Sequence, residues 1–416
     1  MRRFLMSLLF VPGLVTAQTV SRPAFAPDRL ARIDQLMQDY VDSNRIGGAV
    51  GLVMRDGKVV YQKAVGWADK DANRRMTTDA IFRIASQSKA ITSTAIMMLV
   101  EEGKIRVSDQ VSKYLPSFAR TTVATKSDTG RVITPARRRI TIRDLLTHTA
   151  GISYGDDAIV APLYAASGLG PEAGWGWYTA DKDEDVCVTM DRLGTLPFVA
   201  QPGTEFVYGY NTDILGCIVE RVSGMGLDAF IRTRITAPLK MNDTYFFVPK
   251  EKRNRLVEVF MSDSTNHAAR APDGSRGQGH YVDGPRKNFA GGAGIVSTAH
   301  DYARFLQMFL NGGELEGARI LAPQTVDLMT HDQIGALYGT ANLGFGFGFE
   351  TVEKFGAAGM KSAGAFGWGG AYGSSYFGDP QEHLVVVFMI NQLPNSSDIA
   401  GKFPTLVYSA LMARHK

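Results

Sequence analysis

The chain has 416 residues, 45% of them hydrophobic, and carries 45 Lys and Arg against 41 Asp and Glu, for a formal net charge of +4. That length and apolar content suit a large packed core and exclude a disordered chain. Without Arg2 and Arg3, which fall in a predicted leader, the charge drops to +2, too weak a basic bias for a nucleic-acid partner.

Met1-Arg2-Arg3, the apolar residues 4–15 and the small residues of Val15-Thr16-Ala17 have the charged, apolar and cleavage regions of a secretory signal over residues 1–17. Its apolar part is too short for a stable membrane span, and no later stretch reaches the length. An exported protein, periplasmic or secreted, is expected. In residues 27–44 the apolar Leu30, Ile33, Leu36, Met37, Tyr40 and Val41 follow helical spacing. Residues 49–54 and 58–65 read as strands around Asp56-Gly57, a hairpin turn signal.

Next comes Ile84-Ala85-Ser86-Gln87-Ser88-Lys89, followed by an apolar run over residues 90–100 and then Gly103, a C-terminal stop. A serine and a lysine three apart lie on one helix face, and the run is apolar nearly all round, which places that helix inside the protein. A serine at a helix start is most often only a cap. Ser86 is, however, the single serine followed three places on by lysine, and a serine nucleophile needs an adjacent group to take its proton. The helix start would also supply N–H groups for a developing oxyanion.

Thr141-Ile142-Arg143-Asp144 and Thr298-Ala299-His300-Asp301 read as capping boxes that start helices. Residues 155–200 read as irregular, with Trp175, Trp177, Tyr178 and an acidic run over 181–185, either a pocket wall or a surface excursion. Cys187 and Cys217 are the only cysteines. Cys217 falls in an apolar helical pattern, so two separate buried thiols are expected, although export would permit one bridge. No His-Glu-x-x-His or Cys-x-x-Cys occurs, and neither a metal site nor a cofactor is expected.

In Phe206-Val207-Tyr208-Gly209-Tyr210-Asn211-Thr212-Asp213-Ile214-Leu215-Gly216, two tyrosines precede an amphipathic helix, so either phenol could face a cleft. Near the C-terminus, the alternating glycines and phenylalanines of residues 344–349 lead on to glycine-rich strands predicted around 366–377, a continuous apolar strand over 384–390, and a last helix over roughly 403–414. The repeated glycines of Gly367-Trp368-Gly369-Gly370-Ala371-Tyr372-Gly373 would let a ligand lie against the strand. Gly291-Gly292 and Gly312-Gly313 mark further turns or close backbone approaches. Strands at both ends and helices between them predict an α+β fold. Its sheet is assembled from residues 24–70 and 285–416, and a mainly helical lobe over 71–284 is inserted between them.

In this order, the Ser86 to Lys89 element, the Tyr208 segment and the Trp368 segment resemble the serine β-lactamase and penicillin-binding-protein superfamily. The likeness is greatest to class C β-lactamases and the related family VIII carboxylesterases. It runs from about residue 27 to the C-terminus, and Leu145-Leu146-Thr147-His148-Thr149-Ala150-Gly151 and Glu220-Arg221-Val222-Ser223-Gly224 add to it. The resemblance implies a transpeptidase-like fold with a mainly antiparallel sheet. It implies Ser86 as the acylated nucleophile, Lys89 as its proton partner, and Tyr208 as the phenol that serves the leaving group and then water, with one proton shared between Lys89 and Tyr208. The N–H groups of Ser86 and Ala371 would form the oxyanion hole.

Two departures bear on the substrate. Tyr210 stands where β-lactamases usually carry an asparagine, and Trp368-Gly369-Gly370 replaces Lys-Thr-Gly. An aromatic ring cannot pair with a carboxylate as an ammonium does. Tyr210, Trp368, Gly369 and Gly370 are therefore expected to bind a small neutral ester, with slow β-lactam turnover as a side activity. A β-lactamase, a D-amino-acid peptidase or an acyltransferase would use the same machinery, and a non-catalytic cell-wall ligand sensor is the reading outside enzymes. Gly151-Ile152-Ser153-Tyr154-Gly155 also matches the Gly-x-Ser-x-Gly elbow of α/β-hydrolases, but a capped helix precedes it where a strand is needed.

Overall fold

A computed structural model describes residues 25–128 and 130–414. The leader expected over residues 1–17 and the proposed domain start at residue 24 lie outside them. Among the described residues the main sheet has eight strands. Their order across the sheet is Leu343–Phe345, Glu350–Val352, Phe366–Gly369, Ser375–Asp379, Leu384–Ile390, Gly48–Arg55, Lys58–Asp69 and Arg74–Arg75. Every neighbouring pair is antiparallel. The two ends of the chain meet where Ala49 faces Ile390 and Arg55 faces Leu384. The leading hairpin turns through Asp56 and Gly57, both at positive φ, the conformation a two-residue turn requires.

The continuous apolar strand Leu384–Ile390 is explained by burial on both faces. Val385, Val387 and Met389 point into the larger core, while Leu384, Val386, Phe388 and Ile390 pack with Ile33, Met37 and Phe403 of the terminal helices Pro27–Asp42 and Ile399–Ala410. The last helix begins at Ile399, four residues before the expected start. Ile399 is drawn wholly into the core, and Pro404, a residue type that usually marks a first turn, sits inside the helix.

Between the sheet strands lies the helical part, centred on Ser88–Glu101 and packed against Asn211–Ser223. Ile91, Ile96 and Leu99 are wholly buried, each stabilising by about 1.5–3 kcal/mol. Both expected N-caps form: the Thr141 side chain accepts from Asp144 N–H in a complete capping box, and the Thr298 side chain accepts from Asp301 N–H, while the Asp301 carboxylate turns to Asp243 N–H and Thr244 instead of closing a box. The stretch read as irregular contains two short helices, Ala161–Ala166 and Val186–Leu193. The second carries Cys187 against Cys217, and the two are joined in a disulfide. This corrects the expectation of separate thiols: the apolar face on which Cys217 lies is covered by the helix that the sequence reading had not recognised.

Candidate active site

From Ala80 to Leu99 every residue is buried except Ser86. A short turn over Ala85–Gln87 leads into the central helix, and Ala85 adopts φ +43, a conformation that typically costs a non-glycine residue about 1–3 kcal/mol. The turn is held from several sides. Ile84 N–H donates to Ile295 O at 3.1 Å, and Tyr302 Oη donates to Gln87 O at 2.8 Å. The serine is thus presented from a rigid, locally strained turn.

Lys89, in the first turn of the helix, is buried to 2% exposure. Its Nζ donates to Gly292 O at 2.8 Å and lies 2.9 Å from Tyr154 Oη and 3.3 Å from Ser86 Oγ. Gly291-Gly292 is a close approach: a Cβ at Gly291 would lie 2.9 Å from Thr212 O, and one at Gly292 would lie 2.6 Å from an Asp213 carboxylate oxygen. Asp213 accepts from Gly292 N–H at 3.0 Å, so it holds the residue whose carbonyl receives Lys89. Burial, partly offset by Lys89 and that N–H, raises the Asp213 carboxyl to about 6.

Tyr208 reaches the site, but the hydrogen bond to Lys89 expected of it is made by Tyr154. The Tyr208 ring centroid lies 4.6 Å from Lys89 Nζ, while its hydroxyl accepts from Trp368 Nε1 at 3.1 Å. Burial above all, then the neighbouring Tyr208, pushes the Tyr154 phenol well above its ordinary value, so it stays protonated at neutral pH. Beneath Tyr208, at a centroid separation of 4.7 Å, lies His148, buried at φ +55. Asn211 Nδ2 donates to His148 Nδ1 at 2.9 Å, and burial, with Lys89 second, holds the imidazole well below its usual value.

A cavity of about 560 Å³ opens over Ser86 and is lined by Tyr154, Tyr208, Trp177, the strand residues Trp368 and Gly369, and Gly370 and Ala371 just after the strand. Trp177 shows that part of the irregular stretch is a cavity wall. Gly370 lies against the turn that precedes Ser86, since a Cβ there would be 2.6 Å from Ile84 O. Ala371, the next residue, lines the same cavity as Ser86.

Tyr210 does not belong to the cavity, which corrects its expected substrate contact. It is wholly buried, accepts from Gly170 N–H at 3.1 Å and donates to Gly176 O, so it ties down the loop that carries Trp177. Ser153 is buried too, its Oγ engaged by Gly155 N–H at 3.1 Å and absent from the cavity lining. Tyr154 was missed in the sequence because it sits inside that rival Ser153 motif. The only earlier signal for Gly292 was the Gly-Gly pair.

Comparison with known proteins supplies independent findings. The family described as Beta-lactamase matches residues 33–405. An uncharacterized protein of Mycobacterium tuberculosis is 33% identical over 389 residues, covering 87% of this chain and 90% of that one. Esterase EstB of Burkholderia gladioli is 32% identical over 401 residues, 91% of this chain and 95% of the esterase. The solved structure of EstCE1, described as a hydrolase with promiscuous acyltransferase activity, superposes with a TM-score of 0.76 at 28% identity, covering 93% of this chain and 99% of that one.

Proposed function

The chain belongs to the Beta-lactamase family and is a serine hydrolase, and from that premise we propose that it cleaves carboxylic esters through an acyl-enzyme on Ser86. The observation that carries this reading is the set of partners around Lys89. In its amine form Lys89 has two hydrogens, and two fixed oxygens, Gly292 O and Tyr154 Oη, stand 2.8 and 2.9 Å away to receive them. Its lone pair is left for the Ser86 hydroxyl.

As Ser86 Oγ bonds to the ester carbon, its proton passes to Lys89 Nζ, and the carbonyl oxygen takes the negative charge against the N–H groups of Ser86 and Ala371. Collapse breaks the bond to the alcohol oxygen. Tyr208 supplies that oxygen with a proton: its own oxygen already accepts from Trp368, which leaves the phenolic hydrogen to point at the leaving group. The phenol regains a proton from Lys89. In the second half water attacks the acyl carbon, its proton returns through the same groups, and Ser86 recovers its hydrogen as the acid departs. One water is consumed, and no other reactant is needed.

Trp368 stands where an ammonium would receive a β-lactam carboxylate, which supports neutral groups beside the scissile bond. EstCE1 supports a second reading, in which an alcohol replaces water and the product is a new ester. A disulfide supports an oxidising compartment, and with it export. The test of the main reading is fluorophosphonate labelling followed by mass spectrometry. A label on Ser86 that blocks p-nitrophenyl ester turnover is expected, and a label on Ser153 with Ser86 unmodified would overturn it.

A further inference from the structure

The cavity over Ser86 does not end at the mouth of the site. Its lining continues to Lys361, Glu350, Phe377 and Pro404. Successive residues of the strand Ser375–Asp379 point to opposite faces of the sheet. Tyr376 packs on Tyr302 of the inner layer, whereas Phe377 stacks on Tyr408 of the last helix. The cavity therefore passes from the inner face, where Ser86 lies, to the outer face. The neighbouring strand leaves room at Gly369, which lines the cavity and pairs with Ser375.

At the outer end Lys361 lies over the Phe377 ring, with Nζ 4.8 Å from the centroid. Among the described residues no hydrogen bond or ion pair reaches its ammonium, although burial, opposed by the charges of Glu350 and Asp379, lowers its proton affinity. Glu350 is not a close partner: its carboxylate accepts from Tyr338 Oη at 2.5 Å, and no salt bridge joins it to Lys361. The ammonium has no protein acceptor among the described residues and stands on the cavity lining, where an anion entering the cavity could pair with it.

We propose that Lys361 is the receptor for a carboxylate at the far end of the substrate's acyl chain, so that the preferred esters are monoesters of dicarboxylic acids. This rests on the ester reading above and extends it. The scissile ester lies among Ser86, Trp368 and Ala371, the methylene chain runs over the bare glycine backbone, and the terminal carboxylate supplies the acceptor that Lys361 lacks. Charge is excluded near the reacting carbon and welcomed at the remote end.

The experiment compares p-nitrophenyl monoesters of the diacids from succinic to suberic with p-nitrophenyl esters of monocarboxylic acids of equal length. For the best chain length, the ratio of kcat/KM for the acid-ended to the methyl-ended substrate should fall about tenfold in Lys361→Met and recover in Lys361→Arg. A ratio equal in wild type and Lys361→Met overturns the proposal. A second arm avoids chemistry: free adipate or suberate should raise the Tm of wild type and of Ser86→Ala, but not of Lys361→Met. Equal shifts in all three, or none, also overturn it. Diacid stabilisation without any ester turnover would instead sink the esterase reading and leave Lys361 as an anion receptor. Ester turnover without a Lys361-dependent preference would do the reverse.

Discussion

Beneath Ser86, Lys89 is surrounded by three oxygens within 3.3 Å, and Asp213 and His148 lock the groups around it. Above Ser86 the same cavity is walled by the indoles of Trp177 and Trp368 and by glycine backbone. The floor is polar and densely hydrogen-bonded, so removing one of its bonded groups leaves a buried partner unpaired. The rim is apolar and partly open, and apart from Trp368, whose indole N–H donates to Tyr208, its aromatic wall makes few polar contacts that a substitution would break. Proton movement is thus confined to the part of the site that tolerates least change, and selection among substrates to the part that tolerates most.

The strongest challenge to this division is Lys89→Ala, which should slow burst-phase acylation by an activated ester at least about a thousandfold while the protein stays folded. A burst within about threefold of wild type would remove Lys89 from the chemistry. Next come the two tyrosines. Tyr208→Phe, which deletes the proton donor to the leaving group, should lower kcat about a hundredfold. Tyr154→Phe, which only loosens the hold on Lys89, should lower it about tenfold. If steady-state kinetics reverse that order, Tyr154 and Tyr208 exchange roles. On the rim, Trp368→Lys should move the cephalosporin-to-ester rate ratio about tenfold toward cephalosporins, with circular dichroism checking the fold. An unchanged ratio would deny the rim its part in selection.

The smallest effect tests the floor through pH. His148 is buried in a form whose proton affinity is depressed, so its contribution to stability is complete above pH 6.5 and is lost as the pH falls below that value. Asp213, raised to about 6, and Glu220, raised to about 7, act in the opposite direction, since stability from a raised carboxyl is lost as the pH rises. His148→Asn, chosen because asparagine also accepts positive φ, isolates the first term. Between pH 6.5 and 5.5, urea unfolding should show wild type losing about 1 kcal/mol more than this variant.

Much of this was legible in the chain. Asp56-Gly57, the Thr141 cap and the order of the Ser86, Tyr208 and Trp368 motifs depend on neighbours close in sequence, and local pattern reads such neighbours well. Tyr154 and Gly292 meet Lys89 across 65 and 203 positions, where no periodicity connects them. Tyr210 was misplaced for a related reason. Its place two residues after Tyr208 matched the asparagine that usually contacts substrate, but only the packing against Gly170 and Gly176 decides that its hydroxyl turns inward. Lys361 had no motif at all, and its position becomes meaningful only when the cavity over Ser86 is followed past Gly369 to its far end.

The contact of Gly370 with Ile84 O has a consequence for how such an enzyme can diverge. The distance between the strand end and the turn before Ser86 is set by main chain touching main chain, with no side chain as a shim. Inheritance can therefore rewrite Trp177 and much of the rim while this gauge is kept, so new specificities can be explored over an unmoved serine. Position 370 itself is excluded from that exploration, because even a methyl group there would drive the strand off the turn that presents Ser86.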